Sequence, residues 1–441
     1  MEFFVHVVRG AIGIIAFLGI AVLFSTNRRA IDWRLVAGGV AIQLVIALLV
    51  LHVGPVRAAF DAVGSFFVQL LAFTNEGTHL LFGWFAGLAG GNVPKLPFTE
   101  GGPVFALTVL PSIVFFAAFS SLLYRLGILQ RIVYAIAWVL SKTMRLSGAE
   151  TLNAAANIFV GQTEAPLLIK PYLAGMTRSE LLAVMVGGMA TIAGGVMAAY
   201  ITFLGGNDPA AQARWATHLL TASVLSAPAA LLTAKILMPQ VEEIDRRLHL
   251  DDQRPGANLL DAIVIGTTDG VKLAINVGAM LLVFTALVAM VNWMLANWIG
   301  SWTGLNDWIA TVTNGRFDSL SLELAFGLLG APLAWLMGID PGHLLHAGRL
   351  LGERTVLNEF YAYVSMSQLQ ASGELTDERT RAILAYALCG FSNLVSIGIQ
   401  VGGIGALAPG QRETLAKLGW RALLGSTIAC AITACIAGML L

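Results

Sequence analysis

Apolar stretches long enough to cross a membrane recur along the whole chain and are separated by short polar connections. The first two are Phe4–Phe24 and Trp33–Val53, and the short loop that joins them holds Arg28, Arg29 and Arg34. By the positive-inside rule this basic loop lies in the cytoplasm and the N-terminus lies outside. The pattern therefore predicts a polytopic helical membrane protein that begins with two spans.

The later apolar stretches alternate with polar connections. Pro55–Phe73 is apolar on one face and carries Arg57 and Asp61, which favours a helix lying in the membrane interface, although a poor span has almost the same pattern. A polar loop, GGNVPKLPFTEGG, follows it, and the charged stretch Gln240–Arg254 is predicted to be a cytoplasmic connection. The remaining predicted spans are Val104–Tyr124, Leu181–Leu204, Leu219–Leu237, Val271–Trp298, Leu320–Met337 and Leu415–Leu441.

Two segments are interrupted in a way that ordinary spans are not. In residues 147–175 the polar sequence GQTEAP divides two apolar halves. Each half has roughly 13 residues, or about 20 Å of helix, whereas the hydrocarbon core is about 30 Å thick. Residues 343–370 behave likewise, with breaks predicted at Gly352–Thr355 and near Asn358–Glu359. Both segments are predicted to be re-entrant hairpins that enter and leave on the same side.

Each predicted hairpin is followed by a helix with small and polar residues in its middle, first at Met189–Tyr200 and then at Leu388–Gly403. Interrupted apolar segments at matching places in two halves are typical of inverted-repeat transporters, whose site lies near the midplane. The predicted domains are an N-terminal scaffold (1–103), a first repeat (104–256) and a second repeat (257–441). The predicted fold class is an all-α polytopic membrane protein with about eight transmembrane helices, two re-entrant hairpins, interfacial helices and an inverted repeat.

Composition supports a membrane protein and argues against other classes. The chain has 441 residues, of which 57% are hydrophobic and only 12% charged, whereas about a quarter of the residues in soluble domains are charged. The net charge is zero and no lysine or arginine tract is present, so we expect no nucleic-acid partner. The first apolar stretch has no charged leader and no evident cleavage site, which favours a retained span over a signal peptide.

Two glutamates, Glu164 and Glu359, lie in apolar surroundings at the predicted hairpin tips. A charge at the centre of a spanning helix costs on the order of 3 kcal/mol, so each needs a partner or a ligand. Buried ion pairs with Lys170 and Arg354 are one interpretation. The other is a polar, uncharged ligand whose hydroxyls donate to the carboxylates, because there are more neutral donors and acceptors nearby than two ion pairs require. These neutral residues are Gln162, Thr163, Asn157, Asn393 and Ser396.

A cation site is a second hypothesis for the same breaks. Unwound backbone carbonyls, together with the side-chain oxygens of Asn157 and Thr191, suit a hard ion such as Na⁺. The alternative is that each side chain is satisfied locally, because a single Asn or Thr in a helix commonly bonds to the nearby backbone. The pattern alone leaves both interpretations open.

Four stretches resemble the signature motifs of the concentrative nucleoside transporter family: NIFVGQTEAPLLIKPYL, GGMATIAGG, NEFYAYVSM and CGFSNLVSIGIQVGGIGALAP. They occur in the family's order, and the resemblance extends from Val104 to the C-terminus. It implies a homotrimer in which each protomer moves one nucleoside inward with Na⁺ or, in some bacterial members, with H⁺. It also implies a scaffold that holds the trimer and a mobile region formed by the hairpins and broken helices.

By motif position, the resemblance implies two sets of binding residues. Those expected to face the nucleobase are Gln162, Thr163, Glu164 and Val196, with Phe391 against its ring. The ribose hydroxyls are expected to bind Glu359, Asn393 and Ser396. Na⁺ is expected at the side chains of Asn157 and Thr191 and at backbone carbonyls near Val160 and Ile192.

Two details of the motifs bear on specificity and coupling. Many members carry a serine where this chain has Gly195, which leaves purine or pyrimidine preference open. The threonine of GQTEAP and the matching ion ligands are present, which favours Na⁺ coupling over H⁺ coupling. The absence of the extra helices and long tails of animal members suggests a multi-pass protein of a bacterial inner membrane, in contact with lipid. A passive channel and an intramembrane enzyme that uses the two glutamates are the alternatives, and we expect no enzyme.

Overall fold

The computed structural model describes residues 2–83, 105–206, 208–248, 256–313, 315 and 317–441. Within this part of the chain every regular element is a helix, and no strand is present. Seven helical segments of the described residues are long and apolar enough to cross a membrane, or eight if one bent pair counts as a span. The predicted polar loop at residues 90–102 lies outside the described residues.

The N-terminal part forms three long helices, α1 (Glu2–Leu23), α2 (Trp33–His52) and α3 (Gly54–Phe82). The first two coincide with the predicted spans. The carboxylate of Asp32 caps α2, because it accepts hydrogen bonds from two backbone N–H groups of the first turn. Helix α3 is 29 residues long and extends nine residues beyond the predicted interfacial helix. Its length and hydropathy suit a membrane span, so they favour a span over an interfacial helix for this segment.

The first half of the remaining chain contains a hairpin, a broken helix and three long helices. The helices are α4 (Phe105–Arg125), α5 (Ile128–Met144), α6 (Gly148–Ala156), α7 (Lys170–Leu173), α8 (Arg178–Ala190), α9 (Gly194–Gly205) and α10 (Pro209–Leu237). The sequence analysis missed α5, which is bent by 77° from α4. The sequence pattern did not indicate this helix, because its basic residues Arg131 and Lys142, together with Arg125 and Arg145 beside it, are typical of a cytoplasmic loop.

The second half repeats the hairpin and the broken helix. Its helices are α11 (Leu259–Met294), α12 (Ser301–Thr303), α13 (Leu305–Val312), α14 (Leu322–Leu336), α15 (Leu344–Val356), α16 (Glu359–Ala371), α17 (Glu378–Leu388), α18 (Leu394–Leu407) and α19 (Arg412–Leu440). Helix α11 begins 12 residues before the predicted span. It continues through a π-helical turn at Leu295–Gly300 into α12. The continuous helical segment Leu259–Thr303 has 45 residues and is far longer than the predicted span Val271–Trp298.

Both predicted hairpins and both predicted helix breaks are present. The first hairpin joins α6 to a 3₁₀ turn at Ala165–Ile169 and the single turn of α7. The second joins α15 to α16 through two residues, Leu357 and Asn358. The further break predicted at Gly352–Thr355 is wrong, because α15 remains helical to Val356. The broken helices are interrupted at residues 191–193, between α8 and α9, and at residues 389–393, between α17 and α18.

Burial divides the helices into an enclosed group and an outer group. Helices α8, α9, α10 and α19 are buried over most of their length, whereas few residues of α11 are buried. Helices α4 and α11 pack closely, and the Ser121 hydroxyl donates to the carbonyl of Ala262 at 2.7 Å. The hairpins and breaks therefore lie against the enclosed helices, with the α4–α11 pair at one side.

A buried ion pair fixes the base of the first hairpin. Ser147 and Glu150 form a capping box at the start of α6. The Glu150 carboxylate also pairs with Lys235 near the end of α10, and both side chains are almost fully buried. The Lys235 ammonium donates further to Ser179 Oγ at 2.9 Å and to Gln240 Oε1 at 3.2 Å. This network joins the hairpin base to α8 and α10.

Replacing Lys235 by methionine is expected to destabilise the protein strongly, because Glu150 would keep a buried carboxylate without its counter-charge. Loss of one partner of a buried pair costs roughly 3–5 kcal/mol. The measurement is thermal unfolding of the purified protein in detergent. A matched control is Lys417→Met, since the Lys417–Glu413 pair is exposed on both sides and should contribute less than about 1 kcal/mol. Equal shifts for the two variants would contradict this assignment.

Candidate functional site

The tip of the first hairpin is a tight turn. The carbonyl of Gly161 accepts backbone hydrogen bonds from Glu164 at 3.1 Å and from Ala165 at 3.0 Å. The Gln162 side chain turns into the protein and is buried, whereas Thr163 and Glu164 are exposed at the tip. The three polar residues of this motif therefore do not share one face.

A chain of hydrogen bonds connects the two hairpins through the second broken helix. Gln162 Nε2 donates to Ser396 Oγ at 3.1 Å, and the Ser396 backbone N–H donates to Asn393 Oδ1 at 2.8 Å. Asn393 Nδ2 in turn donates to Glu359 Oε2 at 2.8 Å. The Tyr200 hydroxyl donates to Glu359 Oε1 at 3.1 Å. All five side chains are buried, so four of the predicted binding residues belong to one connected network.

The position of Glu359 explains how the fold holds a carboxylate there. It is the first residue of α16, which Asn358 caps through a bond to the N–H of Tyr361. A helix N-terminus stabilises negative charge. Arg354 does not pair with Glu359 but donates to the carbonyl of Ala387, near the end of α17.

The ion pairs considered for the two glutamates are not present in the described part of the chain. Neither Glu164 with Lys170 nor Glu359 with Arg354 comes within ion-pair distance there. The carboxylate of Glu359 is held instead by two neutral donors, Tyr200 and Asn393. This arrangement favours the interpretation in which the polar groups serve a neutral ligand.

A cavity of about 380 Å³ opens between the first hairpin tip and the outer helices. Val160, Glu164 and Val196 line it on one side, and α4 and α11 form the other wall. Asp269 of α11 also faces the cavity. Phe391 lies half-buried in the second helix break and, like Thr163, is not among the residues that line this space. The predicted site thus has two adjoining parts, an open cavity and the buried network, which meet at the hairpin tip.

Two of the predicted cation ligands, Asn157 and Thr191, both lie close to Gly187 of α8. Asn157 is completely buried, and neither its Oδ1 nor its Nδ2 has a hydrogen-bond partner. Its amide lies near Gly187, whose carbonyl accepts from Thr191 Oγ1 at 2.9 Å. Val160 and Ile192 occupy the adjacent hairpin turn and break. A buried amide without a partner requires an explanation, of which a bound ion is one, and an amide oxygen is a suitable ligand for a hard cation. Thr191, in contrast, is satisfied by the backbone of its own helix.

The two helix breaks touch each other. Ser392 Oγ donates to the carbonyl of Met189 at 3.0 Å. Cys430 of α19 lies between the breaks, with its thiol 3.3 Å from the carbonyl of Cys389 and 3.7 Å from that of Ala190. Carbonyls that lack helical partners are therefore satisfied across the contact.

Two residues that contact the predicted site residues were not predicted from the sequence: Tyr200, which belongs to the network, and Gln400, whose Nε2 donates to Gln162 Oε1 at 3.0 Å. Each stands four residues after a predicted site residue, Val196 and Ser396 respectively, and therefore lies on the same helix face. The i, i+4 spacing from a site residue was the available signal. Gln400 and Ser396 are the two polar residues of α18, which was a second signal for Gln400.

The arrangement of two hairpins beside two broken helices defines a polytopic helical membrane protein of the secondary-transporter class. Family models agree with this class. A model described as Na⁺ dependent nucleoside transporter C-terminus matches residues 218–438, its N-terminal counterpart matches residues 12–85, and a model described as nucleoside recognition matches residues 106–207. The chain belongs to the concentrative, Na⁺-dependent nucleoside transporter family.

Individual relatives cover nearly the whole chain. It is 40% identical to an uncharacterized transporter of Haemophilus influenzae over 98% of this chain and 97% of that protein. It is 37% identical to the nucleoside permease NupC of Helicobacter pylori over 97% and 96% of the two chains. It is also 37% identical to rat solute carrier family 28 member 3, of which it spans 58%. The solved structure of CNTnw in an inward-facing substrate-bound state is similar, with a TM-score of 0.87, 37% identity and coverage of 98% and 99%.

Replacing Gly390 by alanine is expected to destabilise the contact between the two breaks. Gly390 has φ +153°, and an added Cβ would lie 2.8 Å from the carbonyl oxygen of Met189 and 2.9 Å from the carbonyl carbon of Ala190. The backbone strain alone is worth on the order of 1–3 kcal/mol. The measurement is the melting temperature in detergent. Gly398→Ala is the control, since nothing lies within 4 Å of its added Cβ and alanine favours the helix; similar losses in both variants would refute the contact as the cause.

Proposed function

We propose that this protein is a Na⁺-coupled nucleoside symporter of a bacterial inner membrane that moves its substrate inward by an elevator motion. The observation that carries the proposal is the buried hydrogen-bonded network between Gln162 of the first hairpin and Glu359 of the second. Its members are neutral apart from one carboxylate, which suits a neutral ligand rich in hydroxyl and amide groups. The family models, named for Na⁺ dependence and nucleoside recognition, support the same substrate class.

The proposed binding roles follow the two parts of the site. The nucleobase lies near the first hairpin tip, where donors and acceptors are available; the residues assigned to it are Gln162, Thr163, Glu164, Val196 and Phe391. The ribose lies near the second hairpin, where a carboxylate can accept from hydroxyls; the residues assigned to it are Glu359, Asn393 and Ser396. Charge-assisted hydrogen bonds of this kind contribute roughly 1.5–3 kcal/mol each.

The coupling ion is proposed to bind between the first hairpin and the first helix break. Its ligands are the side chains of Asn157 and Thr191 and backbone carbonyls near Val160 and Ile192. The unpaired amide of Asn157 supports this position. One Na⁺ with a neutral nucleoside moves one net charge, worth about 2.3 kcal/mol per 100 mV, or roughly 50-fold accumulation before the Na⁺ gradient is added.

The proposed moving part is the enclosed group of helices with both hairpins. The α4–α11 pair, with the N-terminal helices, forms the scaffold, and the homotrimer that the resemblance implies would use this outer side. H⁺ coupling is the alternative within the family. A passive channel does not account for two hairpins joined through a buried network, and we propose no enzymatic step, because the family's named activity is transport.

Nucleoside uptake into proteoliposomes tests the proposal. An inward Na⁺ gradient should drive accumulation of radiolabelled nucleoside, whereas a proton gradient alone should not. Asn157→Leu should abolish the Na⁺ dependence of nucleoside binding, measured as the ratio of the Kd without Na⁺ to the Kd with it. Gln43→Leu, at a buried amide of α2 that bonds to the carbonyl of Gly39 within its own helix, is the control and should retain that ratio. Nucleoside uptake that needs neither a Na⁺ gradient nor a proton gradient would refute the coupled mechanism.

Glu359→Gln is expected to weaken nucleoside binding at least tenfold while leaving the fold intact. The glutamine has nearly the same shape, but its amide NH₂ would face either Tyr200 or Asn393, both of which donate to the carboxylate. It would also lose the charge that accepts the ribose hydroxyls. Isothermal titration measures affinity, and thermal unfolding with size-exclusion light scattering checks the assembly. Glu378→Gln, on an exposed side chain, should bind normally; unchanged binding in Glu359→Gln would refute the ribose assignment.

A further inference from the structure

A residue with no role in the proposed binding set joins the network at its first-hairpin end. Gln400 lies in α18 one helical turn after Ser396 and is buried. Its Nε2 donates to the backbone carbonyl of Met185 at 3.1 Å and to Gln162 Oε1 at 3.0 Å. It is therefore the link between a fixed backbone acceptor in α8 and the side chain that is proposed to read the nucleobase.

These bonds determine which end of each amide faces which neighbour. A backbone carbonyl can only accept, so Gln400 must direct its NH₂ group at Met185. The second hydrogen of that group then points to Gln162, which must present its oxygen. Consequently the NH₂ end of Gln162 faces the opposite way, toward Ser396 Oγ at 3.1 Å. A serine hydroxyl can accept or donate, so Ser396 accommodates this orientation without imposing it.

A glycine in α8 makes this close approach possible. A Cβ on Gly188 would lie 2.5 Å from Gln400 Nε2 and 3.0 Å from Gln162 Cβ. The two glutamines therefore pack directly against the bare backbone of α8. Their positions leave Gln162 little freedom to rotate its amide independently of Gln400.

We propose that Gln400 determines base specificity by orienting the amide of Gln162, so that its NH₂ group, which uses one hydrogen for Ser396 Oγ, offers the other hydrogen to a base bound beside Ser396. This inference rests on the proposed function. A donor at this position favours a base that offers an acceptor, and the substrate class is therefore nucleosides with a keto oxygen at the edge that Gln162 reads, such as uridine and inosine. Amino nucleosides such as cytidine and adenosine present a donor to a donor there.

The variant Gln400→Glu is expected to reverse the orientation of the Gln162 amide. In the buried site one carboxyl oxygen carries a proton and donates to the Met185 carbonyl, because a bare oxygen there would face another acceptor. The second oxygen can then only accept, so Gln162 must turn its NH₂ toward residue 400. Its carbonyl then faces Ser396, whose hydroxyl can donate, and a base amino group is favoured over a keto oxygen.

The experiment measures Kd for uridine, cytidine, inosine and adenosine with the full-length protein in Na⁺. We expect the uridine-over-cytidine and inosine-over-adenosine affinity ratios to fall about tenfold in Gln400→Glu, the effect of matching or opposing one buried hydrogen bond. Gln400→Met removes both bonds without imposing the reverse orientation, and it should move both ratios only part of the way. This second variant also tests the inference if Gln400→Glu does not fold.

Two comparisons separate orientation from general damage. If Gln400 has only a packing role, all four nucleosides should lose affinity by the same factor, and unchanged ratios would overturn the inference. In a Gln162→Met background the substitution Gln400→Glu should no longer change the ratios; a persistent change would also overturn it. Failure of the wild-type protein to bind any of the four nucleosides would instead refute the proposed function, so the two failures are distinguishable.

Discussion

The contact between the two helix breaks is the constraint on which the remaining structure depends. In a membrane, a backbone carbonyl that leaves its helix has no water to bind and must find a partner within the protein. Here the partners come from the other break and from α19. Ser392 of the second break donates to the carbonyl of Met189, and the Cys430 thiol of α19 lies close to the carbonyls of Ala190 and Cys389. Arg354 satisfies a fourth carbonyl, that of Ala387, near the end of α17. The hairpin tips are positioned because they pack against this contact.

The buried hydrogen-bonded network also depends on this contact, because its members come from both repeats. Gln162 comes from the first hairpin and Tyr200 from the first broken helix, whereas Glu359, Asn393 and Ser396 come from the second half of the chain. A buried polar network is stable only when all of its members are satisfied. The network can therefore exist only while the two repeats are docked, which favours movement of the hairpins and broken helices as one body over their separation.

The sequence was sufficient to locate the breaks but not every partner. The polar interruption GQTEAP and the small and polar residues in the middle of Leu388–Gly403 each mark a local departure from helix, which short-range patterns reveal. The break predicted at Gly352–Thr355 was wrong because Glu353 pairs with Arg349 one turn away and Arg354 reaches α17, so charged residues there support the helix. The roles of Tyr200 and Gln400 depend on contacts with residues more than 150 positions away, which no local pattern encodes.

The two repeats differ in the side chain that the hairpin places near the helix break. In the second repeat the guanidinium of Arg354, covalently part of the hairpin, lies at the carbonyl end of α17, where a cation is favoured by the helix dipole. In the first repeat, the buried Asn157 amide near the end of α8 has no partner, and an unsatisfied buried group costs roughly 1–3 kcal/mol. A cation bound to Asn157 Oδ1 would remove the part of that cost that falls on the oxygen, and because it is not covalently attached it can leave. This difference supports the proposal that the coupling ion binds in the first repeat.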